Sequence, residues 1–120
     1  EIEFTVSDFR KASQLLEALG YQVSVIYEKY RTIYDLEGAH IALDEMPYGD
    51  FVEIEGPSVE KIQLLSAVLG LEPALSVMAS YTVLFEQLKS NLGLEFRDLT
   101  FANFRDLPVD ARDLGVAQAD

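Results

Sequence analysis

Four segments of this chain have the residue patterns of β-strands, and this recurrence constrains the fold more than any other feature. Residues 1–6 alternate charged and apolar side chains with a period of two, and residues 21–36 are rich in Val, Ile, Tyr and Thr without Gly or Pro. Glu37 and Gly38 predict a turn into a returning strand at residues 39–46, and a second turn leads into residues 51–55. We therefore predict an antiparallel sheet of four strands, in which the last three form a meander, with one buried face and one polar face.

Three further segments have helical spacing and clear stop signals. Ser7 and Ser58 can cap the first two helices, and a third helix follows near residue 81. Each segment ends in Leu-Gly followed by Tyr or Leu, at Gly20, Gly70 and Gly93, which predicts Schellman stops. With the strands, these helices predict an α+β fold. The predicted inner stripes are Phe9, Ala12, Leu15, Leu16 and Leu19; Val59, Ile62, Leu65, Val68 and Leu69; and Tyr81, Leu84, Phe85, Leu88 and Leu92.

Composition excludes several classes of function. Nine Lys and Arg against 21 Asp and Glu give a net charge of −12, which argues against a nucleic-acid polymer or an anionic membrane as partner. The absence of Cys excludes disulfides, zinc–thiolate sites and thiol catalysis. No apolar stretch reaches the ~18–20 residues that span a bilayer, so we predict a soluble, cytoplasmic protein. Residues 107–120 are rich in Asp and Ala without a period and predict a flexible tail.

Strand alternation collects charged side chains on one face of the predicted sheet. We expect Ile41 and Leu43 on the third strand, and Val52 and Ile54 on the fourth, to face the helices. Their neighbours along each strand then point the other way. The predicted charged face carries Glu1, Glu3, Lys29, Arg31, Asp44, Glu53 and Glu55.

Two interpretations fit this charged face. Residues i and i+2 of a strand lie ~6.5–7 Å apart, so paired carboxylates can hold Mg²⁺ or Mn²⁺ while Lys29 and Arg31 grip phosphoryl groups. An ordinary solvated sheet with cross-strand Glu and Lys pairs has the same spacing, and spacing alone favours that second reading. We interpret the single His40 as a surface residue, and Tyr81 and Phe85 as core.

Three motifs in order resemble the second half of CYTH proteins, the triphosphate tunnel enzymes that include class IV adenylate cyclases and thiamine triphosphatases. The motifs are Tyr27-Glu-Lys-Tyr-Arg31, Leu43-Asp-Glu45 and Phe51-Val-Glu-Ile-Glu-Gly56. The cyclase-like branch is the most similar, because Leu16-Glu-Ala-Leu-Gly-Tyr21 and Phe96-Arg-Asp-Leu-Thr-Phe101 are also typical of it. The similarity covers roughly residues 1–106.

The resemblance implies half of an eight-stranded antiparallel barrel, with a charged tunnel inside and helices packed outside. It implies a triphosphate or nucleotide substrate and a metal cofactor, Mg²⁺ or Mn²⁺. The activity would be conversion of ATP to cAMP and pyrophosphate, or hydrolysis of a triphosphate. By position, Lys29 and Arg31 match substrate-binding residues, Asp44, Glu53 and Glu55 match metal ligands, and Glu1 and Glu3 match residues that line the tunnel.

The family's first strand has the motif E-x-E-x-K, whereas this chain has Thr5 where that Lys belongs. We therefore interpret residues 1–106 as the C-terminal half of a CYTH-like domain. Four strands cannot close a barrel that needs about eight. We expect a fragment with little activity of its own, which pairs with a second copy or with the missing barrel half. The alternative is a non-catalytic α+β module that uses the same sheet face for binding or dimerisation.

Overall fold

A computed structural model describes residue 2 and residues 4–119 of the chain. This part of the chain is an α+β arrangement in which three strands precede most of the helical structure. The helices are α1 Phe9–Ala18, α2 Val59–Val68, α3 Tyr81–Leu92 and α4 Phe101–Phe104, the strands are β1 Tyr30–Leu36, β2 Ala39–Met46 and β3 Gly49–Glu55, and 3₁₀ turns cover Pro73–Leu75 and Ala111–Leu114.

The strands form an antiparallel meander in the order β1-β2-β3. Arg31 lies opposite Asp44, and Ile41 lies opposite Ile54. The turn between β1 and β2 has positive φ at both central residues, 49° at Glu37 and 81° at Gly38, as a tight two-residue hairpin requires. The predicted hairpin and the bounds of its returning strand are confirmed.

Side-chain caps and glycine stops set the helix ends. Ser58 accepts a hydrogen bond from the backbone N–H of Lys61, as predicted, whereas Asp8 rather than Ser7 caps α1. At the end of α2, Leu71 donates to the carbonyl of Ser66 at 2.8 Å across Gly70. The same bond crosses the glycine stops of α1 and α3, so the predicted Schellman stops are confirmed.

The sheet packs against helices on both faces rather than on one. On one face Ala39 and Ile41 form a buried cluster with Leu65 of α2. On the other face, the predicted polar one, Met46 packs into a larger cluster with Leu84 and other residues of α3. That second layer corrects the prediction of a solvated face at the Met46 end, where it buries Asp44 to 1% exposure, whereas Arg31 and Glu55 on the same face are exposed as predicted.

Several predicted core positions are exposed instead. Leu43 and Val52 are each 42% exposed, because α2 covers only the half of their face around Ala39 and Leu65. On α2 the predicted stripe is buried only in part, with Leu65 inside and Val59 and Val68 exposed. The α3 stripe is confirmed, with Leu84, Phe85 and Leu88 buried.

The chain before β1 differs most from prediction. Glu1 and Glu3 of the predicted first strand lie outside the described residues, and Phe4 and Val6 are exposed and outside any strand. A strand needs a hydrogen-bonded neighbour, and the described sheet offers this segment none. Within the described chain, α1 also buries no residue, so its apolar stripe faces solvent.

The predicted long strand at residues 21–36 is regular only from Tyr30 onward. Just before it, Tyr27 forms a parallel bridge with Leu99. Glu28 donates to the carbonyl of Leu99 and Leu99 donates to that of Ile26, each at 2.9 Å. This bridge holds the residues just before β1 and so sets the position of Lys29, which directly precedes the strand.

Residues 107–120 have the composition of a flexible tail, whereas the structure packs much of this segment onto α3. Leu114 is buried, and Leu107, Val109 and Val116 pack against the same cluster. Asp110 and Asp113 form a capping box around the 3₁₀ turn at Ala111–Leu114. A few apolar side chains between charged residues are sufficient to anchor the segment without a helical period. No helix within the described residues is long and apolar enough to cross a bilayer.

Candidate functional site

The structure brings four of the predicted site residues together on one face of the sheet. Arg31 of β1 lies opposite Asp44 of β2, and Lys29 precedes Arg31 by two residues. Glu53 of β3 pairs with Ala42, the residue of β2 two positions from Asp44. Strand alternation therefore puts all four side chains on the same side, as the sequence predicts.

Asp44 is the centre of the cluster. Arg31 donates from Nε to Oδ1 at 2.6 Å and from Nη2 to Oδ2 at 2.5 Å, the two-pronged geometry that suits a guanidinium and a carboxylate. Lys29 Nζ donates to Oδ2 at 3.0 Å. Arg31 Nη2 also donates to Glu53 Oε2 at 2.5 Å, so Arg31 joins the two acids.

Tyr81 completes the cluster from α3. Its hydroxyl donates to Asp44 Oδ2 at 2.8 Å, and its ring lies with its centroid 5.2 Å from Lys29 Nζ. Helical spacing with Leu84 and Phe85 predicts that Tyr81 lies in the core. No sequence signal identifies the contact, since it depends on how α3 docks against the sheet.

The cluster has fixed charges at neutral pH. The hydrogen bond from Arg31 holds the pKa of Asp44 well below its ordinary value, against the opposing effect of burial and with help from Lys29 and Tyr81. The same bond to Asp44 raises the pKa of Arg31. Burial, with the bond to Asp44, raises the pKa of the Tyr81 hydroxyl, so Tyr81 remains a neutral donor.

Among the described residues, both cations have hydrogen-bond donors that no contact engages. A guanidinium has five N–H groups and an ammonium three. The described contacts engage Nε and Nη2 of Arg31, leaving both N–H groups of Nη1, and engage one N–H of Lys29. The side chains of Lys29 and Arg31 are 21% and 29% exposed, whereas that of Asp44 is enclosed. An anion that approaches from solvent therefore meets N–H groups before it meets the buried carboxylate.

The structure places the three predicted metal ligands Asp44, Glu53 and Glu55 in different surroundings. Asp44 accepts three hydrogen bonds on Oδ2 and one on Oδ1 from Lys29, Arg31 and Tyr81. Glu55 lies opposite His40 and is exposed, away from the contacts of Asp44. Over residue 2 and residues 4–119, no three His, Cys, Asp or Glu side chains converge as metal ligands. Glu1 and Glu3 lie outside the described residues.

His40 does not join the cluster. Its Nδ1 lies 2.6 Å from Asp35 Oδ1 in an exposed pair at the turn end of the β1–β2 hairpin. It lies outside the contacts that Asp44, Arg31 and Lys29 make. This location agrees with its interpretation as a surface residue.

A family model described as the CYTH domain matches residues 1–75 of the chain. The match includes Lys29, Arg31, Asp44 and Glu53, and it ends before Tyr81. A search of curated proteins and a search of solved structures each found no match.

Proposed function

The chain belongs to the CYTH domain family, and on that premise we propose that its charged sheet face binds the phosphate chain of a triphosphate. CYTH proteins bind triphosphate substrates and are generally metal-dependent. The observation that carries the proposal is the pairing of Lys29 and Arg31 on one buried carboxylate, with N–H groups on both that no contact among the described residues engages.

The shared carboxylate holds the two cations side by side. Lys29 and Arg31 would otherwise repel each other, and long cationic side chains lose rotamer entropy when they are ordered. Asp44 offsets the repulsion and fixes both head groups before a ligand arrives. Arg31 then presents a planar edge and Lys29 a compact charge, which suits adjacent phosphoryl groups.

The charge balance of the cluster supports a metal-bound form of the ligand. Two cations face two carboxylates, Asp44 and Glu53, so the described contacts are neutral as a set. A bare triphosphate adds several negative charges, and a divalent cation would offset them. We propose that Mg²⁺ or Mn²⁺ arrives with the triphosphate and that Glu53 and Glu55, rather than Asp44, are its protein ligands. The metal would neutralise and orient the phosphate chain.

The reaction class that we propose is supported by family membership alone. We propose either conversion of ATP to cAMP and pyrophosphate, as in the class IV adenylate cyclase-like branch, or hydrolysis of a triphosphate. Both need the same cations and carboxylates and differ in the nucleophile, which is the ribose hydroxyl in one case and water in the other. We place this activity in the cytoplasm.

A complete barrel would need more strands than the described sheet has. In that sheet β1 and β3 each have one hydrogen-bonded neighbour, which leaves an open edge on both sides. We propose that these edges pair with further strands, from a second copy of the chain or from another half of the barrel. Light scattering across a concentration series tests the first option, and a monomer at all concentrations contradicts it.

The second candidate is a non-catalytic module that uses the same face to bind a partner or to dimerise. One observation favours it: each charge of the cluster already has a partner inside the protein. Removal of one partner from such a network leaves a buried charge uncompensated, so the fold itself requires the network to stay intact without any ligand. The two candidates differ in whether the cations take up phosphate.

Calorimetric titration of the chain with tripolyphosphate, in Mg²⁺ and in EDTA, separates them. We expect binding in Mg²⁺ that is lost in Arg31→Glu and in Lys29→Glu. The matched control is Lys11→Glu, because Lys11 is an exposed cation of α1 whose partner is Asp8. Equal affinity in all four proteins, or no binding in any, contradicts the proposal. Product analysis with ATP then distinguishes cAMP and pyrophosphate, orthophosphate, or no product.

A further inference from the structure

We propose that Tyr81 is a positioning residue of the phosphate site, which holds the Asp44 carboxylate in place while Lys29 and Arg31 turn their N–H groups to the ligand. This inference rests on the proposed triphosphate binding. It also assigns part of the site to α3, beyond the residues 1–75 that match the CYTH domain.

Tyr81 is fixed on three sides. It is the first residue of α3, where Ser80 caps the helix. The hydroxyl of Tyr48 donates to the backbone carbonyl of Tyr81 at 2.9 Å. The rings of Phe51 and Tyr81 pack edge to face, with their centroids 5.2 Å apart. The phenol therefore reaches Asp44 from a rigid support rather than from a mobile side chain.

The donors around Asp44 are not equivalent. Three of its four hydrogen bonds come from Lys29 and Arg31, the groups that a phosphate attracts. The fourth comes from the neutral hydroxyl of Tyr81, whose raised pKa keeps its proton in place. When the cations share their charge with a phosphate, their bonds to Asp44 weaken, whereas the bond from Tyr81 does not. A buried carboxylate with weakened donors is unfavourable, so the Tyr81 bond offsets part of that loss on ligand binding.

The ring of Tyr81 acts on Lys29 as well. Lys29 Nζ lies 5.2 Å from the ring centroid, a distance at which a cation is attracted to an aromatic face. The hydroxyl thus restrains the carboxylate of Asp44, and the ring restrains the ammonium group of Lys29 in the same site. A substitution that keeps the ring and removes the hydroxyl separates these two effects.

Tyr81→Phe is the first test, with tripolyphosphate and Mg²⁺ as the probe. We expect the dissociation constant to rise about tenfold, the scale of one hydrogen bond to a charged group. Tyr34→Phe is the matched control, because Tyr34 is an exposed tyrosine of β1 that pairs with Ile41, on the opposite face from Arg31. An unchanged dissociation constant in Tyr81→Phe overturns the inference.

The same tyrosine substitution made in an Asp44→Asn variant distinguishes a positioning role of Tyr81 from general support of the fold. If Tyr81 acts through Asp44, removal of the hydroxyl changes affinity when Asp44 is charged and has little effect in Asp44→Asn. We therefore expect the double variant to bind tripolyphosphate as Asp44→Asn does, to within about twofold, a coupling that only interacting residues show. An equal loss in both backgrounds overturns the inference.

The wild-type chain offers a test without substitution. With ¹³C-labelled tyrosine, we expect the ring carbon that bears the Tyr81 hydroxyl to shift during titration with tripolyphosphate, together with the Arg31 Nε signal. A Tyr81 signal that stays constant while Arg31 responds overturns the inference and leaves the proposed function intact. A titration in which neither signal responds overturns the proposed function, and the inference with it.

Discussion

Arg31 lies directly opposite Asp44 in the β1–β2 register, and its guanidinium holds both oxygens of that carboxylate. The carboxylate is the inner partner, because the side chain of Asp44 is enclosed while that of Arg31 is 29% exposed. In such an ion pair the buried carboxylate holds the partly exposed guanidinium in one orientation at the surface. We expect the following consequences for stability and binding.

Asp44→Asn should destabilise the fold. The amide is neutral, and its NH₂ group replaces one accepting oxygen and faces the donors of Lys29 and Arg31. We therefore expect a loss of about 3 kcal/mol in the free energy of unfolding, at the lower end for a broken buried pair. The lower end applies because both cations retain access to water. Urea unfolding measures the loss, and the exposed Asp106→Asn is the control. A loss no larger than that of the control contradicts the central role of Asp44.

The difference in the free energy of unfolding between wild type and Asp44→Asn should decrease at acid pH. The bond from Arg31 lowers the pKa of Asp44 in the folded state, below the value near 3.9 expected in the unfolded chain. A lowered folded pKa contributes stability that is present above the unfolded pKa and lost as the pH falls toward the folded one. We expect a constant difference above about pH 5 that shrinks below about pH 4. Denaturant curves from pH 7 to pH 2 check this, and a constant difference throughout contradicts it.

Arg31→Lys should weaken tripolyphosphate binding although it keeps the charge. A lysine cannot hold both oxygens of Asp44 and also contact Glu53. We expect a loss of affinity of about tenfold, from one charge-assisted bond. Lys29→Arg is the matched exchange, and its effect should be smaller, because Lys29 makes a single bond to Asp44. Equal effects in the two variants contradict this reading of the guanidinium.

Mg²⁺ alone should leave the melting temperature unchanged. Asp44 is engaged, and the described part of the chain has no group of three metal-ligating side chains. Mg²⁺ with tripolyphosphate should raise the melting temperature, because a ligand that binds only the folded state stabilises it. Thermal unfolding with Mg²⁺, with tripolyphosphate, and with both checks this. A rise with Mg²⁺ alone indicates a metal site that forms before the triphosphate arrives.

Leu114→Ala should destabilise the helical layer by about 2–5 kcal/mol, as truncation of a buried leucine does. Leu114 packs against α3 and is only 4% exposed, although the composition of residues 107–120 predicts a flexible tail. Val68→Ala on the exposed side of α2 is the control, with an expected change within about 0.5 kcal/mol. If Leu114→Ala has no larger effect than this control, the tail does not pack as described.

Much of the sheet could be predicted because its determinants are local. Glu37 and Gly38 specify the hairpin turn, and the alternation along β2 specifies that Asp44 points away from Ile41. The grouping of Lys29 and Arg31 with Asp44 follows from alternation and register, so the sequence was sufficient for it. The first predicted strand and the length of the second were wrong where described, because a strand depends on a neighbour as well as on its own residues.

The sequence by itself determined the Ser58 cap, the glycine stops, the hairpin turn, the α3 stripe and the face to which each residue of β1, β2 and β3 points, since each depends on residues only a few positions apart. Only the tertiary structure decided that α3 packs at the Met46 end of the charged face, that Tyr81 reaches Asp44, and that the donors of Asp44 enclose it. These contacts join residues far apart in the chain, and the docking of one layer on another sets their distances. The physical reason is that periodicity specifies a direction for each side chain, whereas burial and hydrogen bonding depend on what the fold brings to meet it.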